Sequence, residues 1–148
     1  MDTGSPASGY LKPGFAWATD KAGVNTGGFG LKLTAADLVK LGELYVNGGR
    51  WQGRQIVSQA WVADSTSRQL SLEQEEAAQG NYGYLWWPGE FKGRPVFSAL
   101  GSYYQAIICF PDSNVVVVVT AADDLTAADT LGLSLDPLLD EFLSPLLQ

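Results

Sequence analysis

The sequence contains no histidine and only one cysteine. The first absence removes a Ser-His-Asp triad, a Cys-His pair and every imidazole-based metal site. The second removes intrachain disulfides and thiolate clusters. Cys109 stands among Ile107, Ile108 and Phe110, the setting of an inert core thiol, so neither a metal nor a cofactor is expected. Positive charge is scarce and uneven: 9 Lys and Arg face 16 Asp and Glu, the net charge is −7, and no base follows Arg94. Past residue 120 come Asp123, Asp124, Asp129, Asp136, Asp140 and Glu141, which would repel a phosphate backbone, so no nucleic-acid partner is expected. No apolar run approaches the roughly 18 residues of a membrane span, and the amino terminus has no basic-then-apolar leader. The chain as given reads as soluble and cytoplasmic, with its original compartment left open.

What is present describes something that folds. The 148 residues are 46% apolar and 17% charged, a composition for one core-rich domain over residues 1–148. Residues 1–30 carry Gly4, Gly9, Gly14, Gly23, Gly27, Gly28 and Gly30 with Pro6 and Pro13, a loop segment with no room for a helix. Residues 31–80 are helical in texture. Thr34 and Asp37 spell an acidic capping box, Leu38, Leu41, Leu44 and Tyr45 follow at helical spacing, and Asn47-Gly48-Gly49 stops them. Ser58 caps a shorter helix with Trp61 and Val62. Residues 81–121 turn β-branched and aromatic, giving strands at Tyr82 to Trp87, Pro95 to Gly101, Tyr103 to Phe110 and Asn114 to Ala121. Their short connections favour antiparallel pairing. Val115 to Val119 is apolar on both sides, which predicts a strand covered by helices on both faces. Residues 122–148 supply one cover, a helix capped by Asp136 with Pro137, Leu138, Leu139, Phe142 and Leu143. The fold class is therefore α/β of the α+β kind, an antiparallel sheet with helices packed on it.

Several groupings invite chemistry, and each has a plainer reading. Asp123 and Asp124 could pair as glycosidase carboxylates, but adjacent residues at a strand end point apart, which favours a solvated turn or helix cap. Glu73, Glu75 and Glu76 read as a solvated face. Gly27-Gly28-Phe29-Gly30 lacks the lysine and the glycine register of a phosphate loop, so turn chemistry explains it better. Tyr82, Tyr84 and Trp86, alternating along one strand face with Trp87 on the other, form either core or a stacking platform for a sugar or aromatic ligand. Without histidine, a serine nucleophile needs a lysine base, one turn away in Ser-x-x-Lys. No serine here has that lysine; the nearest approach is Ser65 to Arg68, whose guanidinium is no base at neutral pH. Gly-x-Ser-x-Gly is absent too.

The order of motifs from Gly27 to Val119 carries a resemblance. Gly27-Gly28-Phe29-Gly30-Leu31, Thr34 to Leu38, Leu41-Gly42-Glu43-Leu44-Tyr45 and Asn47 to Gly53, then Tyr82 to Trp87, Ala99-Leu100-Gly101, Gln105 and Pro111, resemble the carboxy-terminal half of serine β-lactamase-like proteins. That superfamily holds class C β-lactamases, penicillin-binding peptidases, esterases and 6-aminohexanoate-dimer hydrolases. Met1-Asp2-Thr3 is similar to the segment after the family's middle domain. The resemblance implies half of a β-lactamase-like fold. It also implies that the Ser-x-x-Lys nucleophile and the Tyr-x-Asn element lie upstream of this chain. Tyr45-Val46-Asn47 and Lys21-Ala22-Gly23 are literal look-alikes in the wrong places, a helix end and a loop.

The counterpart of the family's Lys-Thr-Gly is Ala99-Leu100-Gly101, on the strand that lines the pocket. Lacking the lysine and the hydroxyl, it offers no grip on a drug carboxylate, which demotes β-lactam hydrolysis in favour of an esterase or amidase lineage. By the same resemblance, the Ser102 backbone N–H is the oxyanion donor, and Tyr103 and Tyr104 line the mouth or pack in the sheet. Two readings result. In one, the chain is the wall of a serine hydrolase for small esters or amides, inactive until an amino-terminal half completes it. In the other, it is a non-catalytic module that binds a small ligand or a protein. In the family, amino-terminal strands flank the counterpart of Val115–Val119; without them the strand edge invites a homo-oligomer.

Overall fold

Helix formation begins where the density of glycine and proline ends. The computed structural model describes residues 16–71, 81–101 and 105–120, with Glu141 and Pro145. Ahead of the first helix it holds a short antiparallel ladder, β1 (Ala16–Trp17) on β2 (Leu31–Lys32). Gly23 and Gly30, at φ 80° and 79°, make the turns between them. The Asp20 carboxylate fixes one turn, accepting the backbone N–H groups of Ala22 and Val24 at 2.8 and 2.9 Å.

Helix α1 (Ala35–Val46) starts on the capping box. Thr34 Oγ1 accepts the Asp37 N–H at 3.2 Å and donates to the Asp37 carboxylate at 2.7 Å. Lys40 Nζ lies 2.7 Å from the same carboxylate. Lys40 first, and Thr34 second, hold the Asp37 carboxyl below its usual 3.8. At the other end Asn47 donates its side-chain amide to the Glu43 carbonyl at 2.8 Å, and Gly48 and Gly49 leave the helix at φ 61° and 82°. Strands β3 (Arg50–Trp51) and β4 (Arg54–Gln55) then form a hairpin closed by Gln52-Gly53, both at positive φ. Helix α2 (Gln59–Ser65) is capped by Ser58, whose Oγ accepts the Trp61 N–H at 3.1 Å. Strand β5 (Leu70–Ser71) pairs with β6 (Asn81–Tyr82).

The main sheet follows: β7 (Trp87–Phe91), β8 (Arg94–Gly101), β9 (Gln105–Phe110) and β10 (Val115–Val119). The strand order is β10-β9-β8-β7, antiparallel throughout, a simple meander. Register sorts its side chains into two faces. Phe97, Cys109 and Val116 form one row, and Ala99, Ile107 and Val118 the next. These rows receive Leu38, Leu41, Tyr45 and Val46 of α1. On the opposite face Ala106, Ile108 and Phe110 pack with Phe91, Val96, Val115, Val117 and Val119.

Gly42 sets how closely α1 approaches the sheet. A Cβ there would collide with the Val116 side chain and come within 3.2 Å of the Ile107 side chain. The Gly42 carbonyl faces the Cys109 Sγ at 4.0 Å. Glycine inside a helix costs about 1 kcal/mol against alanine, a loss offset here by contact that no larger residue permits.

The α+β expectation holds: among the described residues there are helices α1 and α2 and antiparallel strands. One expectation is corrected. The strand expected from Tyr82 to Trp87 is broken after Tyr82, because the end of α2 captures the chain. Gly83 packs against the Ser65 carbonyl where a Cβ would clash, Tyr84 N–H donates to that carbonyl at 2.9 Å, and Gly83 N–H donates to Trp86 at 2.8 Å. Leu85 completes the turn at φ 65°. Of the two helical covers expected for the valine strand, α1 lies on one face, and the other falls on residues 136–143, nearly all outside the described ones. Of the helix expected from Asp136 to Leu143 only Glu141, which is helical, is among the described residues; Met1-Asp2-Thr3, Glu73, Glu75, Glu76, Asp123 and Asp124 lie outside them.

Replacing Gly42 by alanine should lower stability even though alanine is the better helix former, because overpacking costs about 1–3 kcal/mol. The measurement is a lower urea midpoint at unchanged m-value. A raised midpoint would show that α1 can lift off the sheet without loss.

Candidate functional site

Strand β8 is interior to the sheet, with β7 on one side and β9 on the other; the β7 ladder reaches only Ser98, so the far end is held by the β9 ladder. That end is Ala99-Leu100-Gly101. Ala99 lies opposite Ile107 and faces the α1 side, half-buried in that cluster. Leu100 lies opposite Ala106 on the other face and is 38% exposed. Gly101 lies opposite Gln105, and a Cβ there would stand 3.2 Å from the Gln105 Cβ. Half of the sequence-derived site is therefore gathered at one strand end; Ser102, Tyr103 and Tyr104 lie outside the described residues.

The chemistry of this end is apolar side chains and backbone. The cation of β8, Arg94, sits at the opposite end of the strand, where its Nη1 reaches Asp112 at 3.3 Å and Ser113 at 3.0 Å. Three serine hydroxyls in and around α2 are occupied structurally. Ser58 caps α2, the buried Ser65 donates to the Val62 carbonyl at 3.2 Å, and Ser67 donates to the Asp64 carbonyl at 2.9 Å. The two look-alike motifs are structural as well. Tyr45 packs its ring 4.6 Å from Trp86 while Asn47 caps α1, and Lys21-Ala22-Gly23 lies in the turn fixed by Asp20.

The single aromatic face expected for Tyr82, Tyr84 and Trp86 does not form, because the chain turns at Gly83. The rings divide into separate pairs. Trp86, 4% exposed, is core, edge-on to Phe97 at 5.1 Å. Tyr82 tilts against Trp87 at 4.5 Å, and Tyr84 stacks on Trp61 of α2 at 5.3 Å with planes 2° apart. A wide, shallow cleft of about 590 Å³ lies between α1 and the β3–β4 hairpin, lined by Leu41, Leu44, Trp51 and Ile56. It takes no residue from β8. Among the described residues no group of three or more potential metal-ligating side chains comes together, and no helix is long and apolar enough to cross a membrane.

Sequence reasoning missed Gly42 as the residue that seats the main sheet against α1. Its signal was available: a glycine inside a capped helical run needs a packing reason.

Comparison with known proteins places the architecture. No family model matches the chain, and no curated protein matches it. A solved structure does. A Bacillus anthracis protein named as a 6-aminohexanoate-dimer hydrolase is 25% identical and superposes with a TM-score of 0.54, over 77% of this chain and 31% of that one. The chain thus spans less than a third of that protein's length. The neighbour has a β-lactamase-like fold, and the likeness supports a relation to these hydrolases at the level of the superfamily.

Cys109, fully buried beneath α1, has its thiol pushed by burial from 9.0 up to about 12. The unfolded chain loses that proton near pH 9 and the folded chain near 12, so the stability it contributes is complete below 9 and is lost as pH rises through 12. Stability of the wild type should therefore fall more steeply between these values than that of Cys109→Ala, as read from urea midpoints across alkaline pH. Equal slopes would show an accessible thiol.

Proposed function

We propose that this chain forms the pocket wall of a β-lactamase-like serine acyl hydrolase acting on small neutral esters or amides. Its attacking serine and lysine base come from polypeptide outside these residues. The observation that carries the reading is a strand end of the right type, Ala99-Leu100-Gly101, in a fold shared with a hydrolase, in a sequence with neither histidine nor Ser-x-x-Lys. The name of the neighbour, a hydrolase of the 6-aminohexanoate dimer, supports a substrate of this class.

The reaction asks two things of such a wall. When a serine attacks the carbonyl, negative charge develops on its oxygen, and a fixed backbone N–H aimed at that oxygen stabilises it; this is the role assigned to Ser102. One such donor is worth about 10²–10³ in kcat, and a backbone donor is indifferent to the side chain that carries it. Ala99, Leu100 and Gly101, with Tyr103 and Tyr104, shape the remaining wall. Since Ala99 and Leu100 carry no charge, the acyl part they contact is neutral, and a carboxylate there would be desolvated without a partner.

A fluorophosphonate probe, which labels activated serines, should leave this chain unlabelled. Substituted for the matching segment of the Bacillus anthracis protein, the chain should give a chimaera that is labelled at that protein's own serine and hydrolyses p-nitrophenyl acetate. In the chimaera, Ser102→Pro deletes the N–H and should lower kcat by roughly 10²-fold, while Ser102→Ala keeps it. Labelling of any serine within this chain would overturn the reading.

A further inference from the structure

We propose that Asn47-Gly48 is a deamidation site gated by the end of helix α1: the closed cap blocks the reaction, and opening the cap starts it. The chain has four asparagines, Asn25, Asn47, Asn81 and Asn114, and the residues that follow them are Thr26, Gly48, Tyr82 and Val115. Deamidation begins when the backbone nitrogen of the following residue attacks the side-chain carbonyl carbon of asparagine. A β-branched or aromatic residue crowds that nitrogen, whereas glycine has no Cβ and leaves it open. Asn47 is the position the sequence primes. The step balances with water as the only co-reactant. The Gly48 nitrogen bonds to Asn47 Cγ, the Cγ–Nδ2 bond breaks, and Nδ2 leaves as ammonia with the proton that Gly48 gives up. Water then opens the succinimide at either carbonyl, giving aspartate or isoaspartate.

The fold withholds both reacting groups. Closing the five-membered ring needs the Gly48 nitrogen eclipsed with Asn47 Cβ about the Cα–C bond. At ψ 21° that nitrogen is turned to the side away from Cβ. Its N–H donates to the Tyr45 carbonyl at 3.0 Å, and the Asn47 side-chain amide donates to the Glu43 carbonyl at 2.8 Å. The next residue is fixed as well: the Gly49 N–H donates to the Leu44 carbonyl at 2.8 Å, and the Gly49 carbonyl accepts the Ile56 and Val57 N–H groups at 2.9 and 3.1 Å. Gln55 of the β3–β4 hairpin ties the cap down, its Nε2 donating to the Gly48 carbonyl at 2.7 Å and the Val57 carbonyl at 2.5 Å. Turning Asn47 to the reactive conformation breaks these bonds together, so the rate follows the population of the opened cap.

The product keeps the cap from closing again. A carboxylate has no proton to give the Glu43 carbonyl, and its charge stands at the negative end of the helix. Isoaspartate adds a methylene to the main chain, which puts the Gly48 and Gly49 N–H groups out of register with Tyr45 and Leu44. Reaction at this one residue therefore releases the hairpin from the end of α1. The proposal stands apart from the hydrolase reading: it involves no catalytic residue, and its test has no catalytic readout.

Trypsin releases the site as the peptide Leu41–Arg50, on which mass spectrometry separates asparagine, aspartate and isoaspartate. Incubated at mildly alkaline pH, the 148-residue chain should deamidate at Asn47 at least about tenfold more slowly when folded than in urea. In urea Asn47 should outrun Asn25, Asn81 and Asn114. Gln55→Ala removes the tie and leaves Asn47-Gly48 intact, so it should speed the reaction in the folded chain and leave the rate in urea unchanged. Asn47→Asp, the direct product, should lower the urea midpoint. Circular dichroism confirms that each variant folds, and the comparison of folded with unfolded wild type needs no variant. Equal rates at Asn47 with and without urea overturn the proposal. So does a Gln55→Ala chain that reacts at the wild-type rate, or a midpoint that Asn47→Asp does not move.

Discussion

The seating of α1 on the sheet at Gly42 is the contact on which the rest of the structure depends. Only hydrogen occupies the side-chain position, so the helix backbone reaches the Val116 and Ile107 side chains directly, with the Cys109 sulfur beneath its carbonyl. Leu38, Leu41, Tyr45 and Val46 then reach the rows that contain Phe97, Ala99, Ile107, Cys109, Val116 and Val118. One helix thereby buries side chains from β8, β9 and β10 together. The buried polar accounting is clean as well: no buried side-chain polar atom among the described residues lacks a partner.

That seating gives the candidate site its rigidity. Ala99 belongs to the α1-side cluster, so the strand end at Gly101 is anchored by packing and by the β9 ladder. A wall of this kind can hold a backbone donor in place without any charged side chain near it. In the proposed function it supplies orientation and an electrostatic contact, and the bond-making group comes from outside these residues.

Much of this was legible in the sequence where local rules decide. Thr34 with Asp37 announced the start of α1, Asn47-Gly48-Gly49 its end, and Ser58 the cap of α2. The β-branched runs marked β8, β9 and β10 to within two residues at each end. The break after Tyr82 was not legible, because alternation of aromatics describes a strand's own faces and not a neighbour that captures it. What breaks the strand is the Ser65 carbonyl, far away in sequence, accepting from Tyr84 and packing on Gly83. The role proposed for Ala99-Leu100-Gly101 has no local signal either. Small apolar residues on a strand look like core, and only the order of motifs along the chain singled them out.

Native-state hydrogen exchange followed residue by residue tests the central claim most directly, namely that α1 and β8–β10 are one cooperative unit seated at Gly42. The account predicts that amides in the middle of α1, β8 and β9 exchange with the same, highest free energy, equal to that of global unfolding, while the β1–β2 arm exchanges far faster. Should α1 open at a distinctly lower free energy than β9, the helix would be an accessory to a sheet that stands without it, and the account would be contradicted.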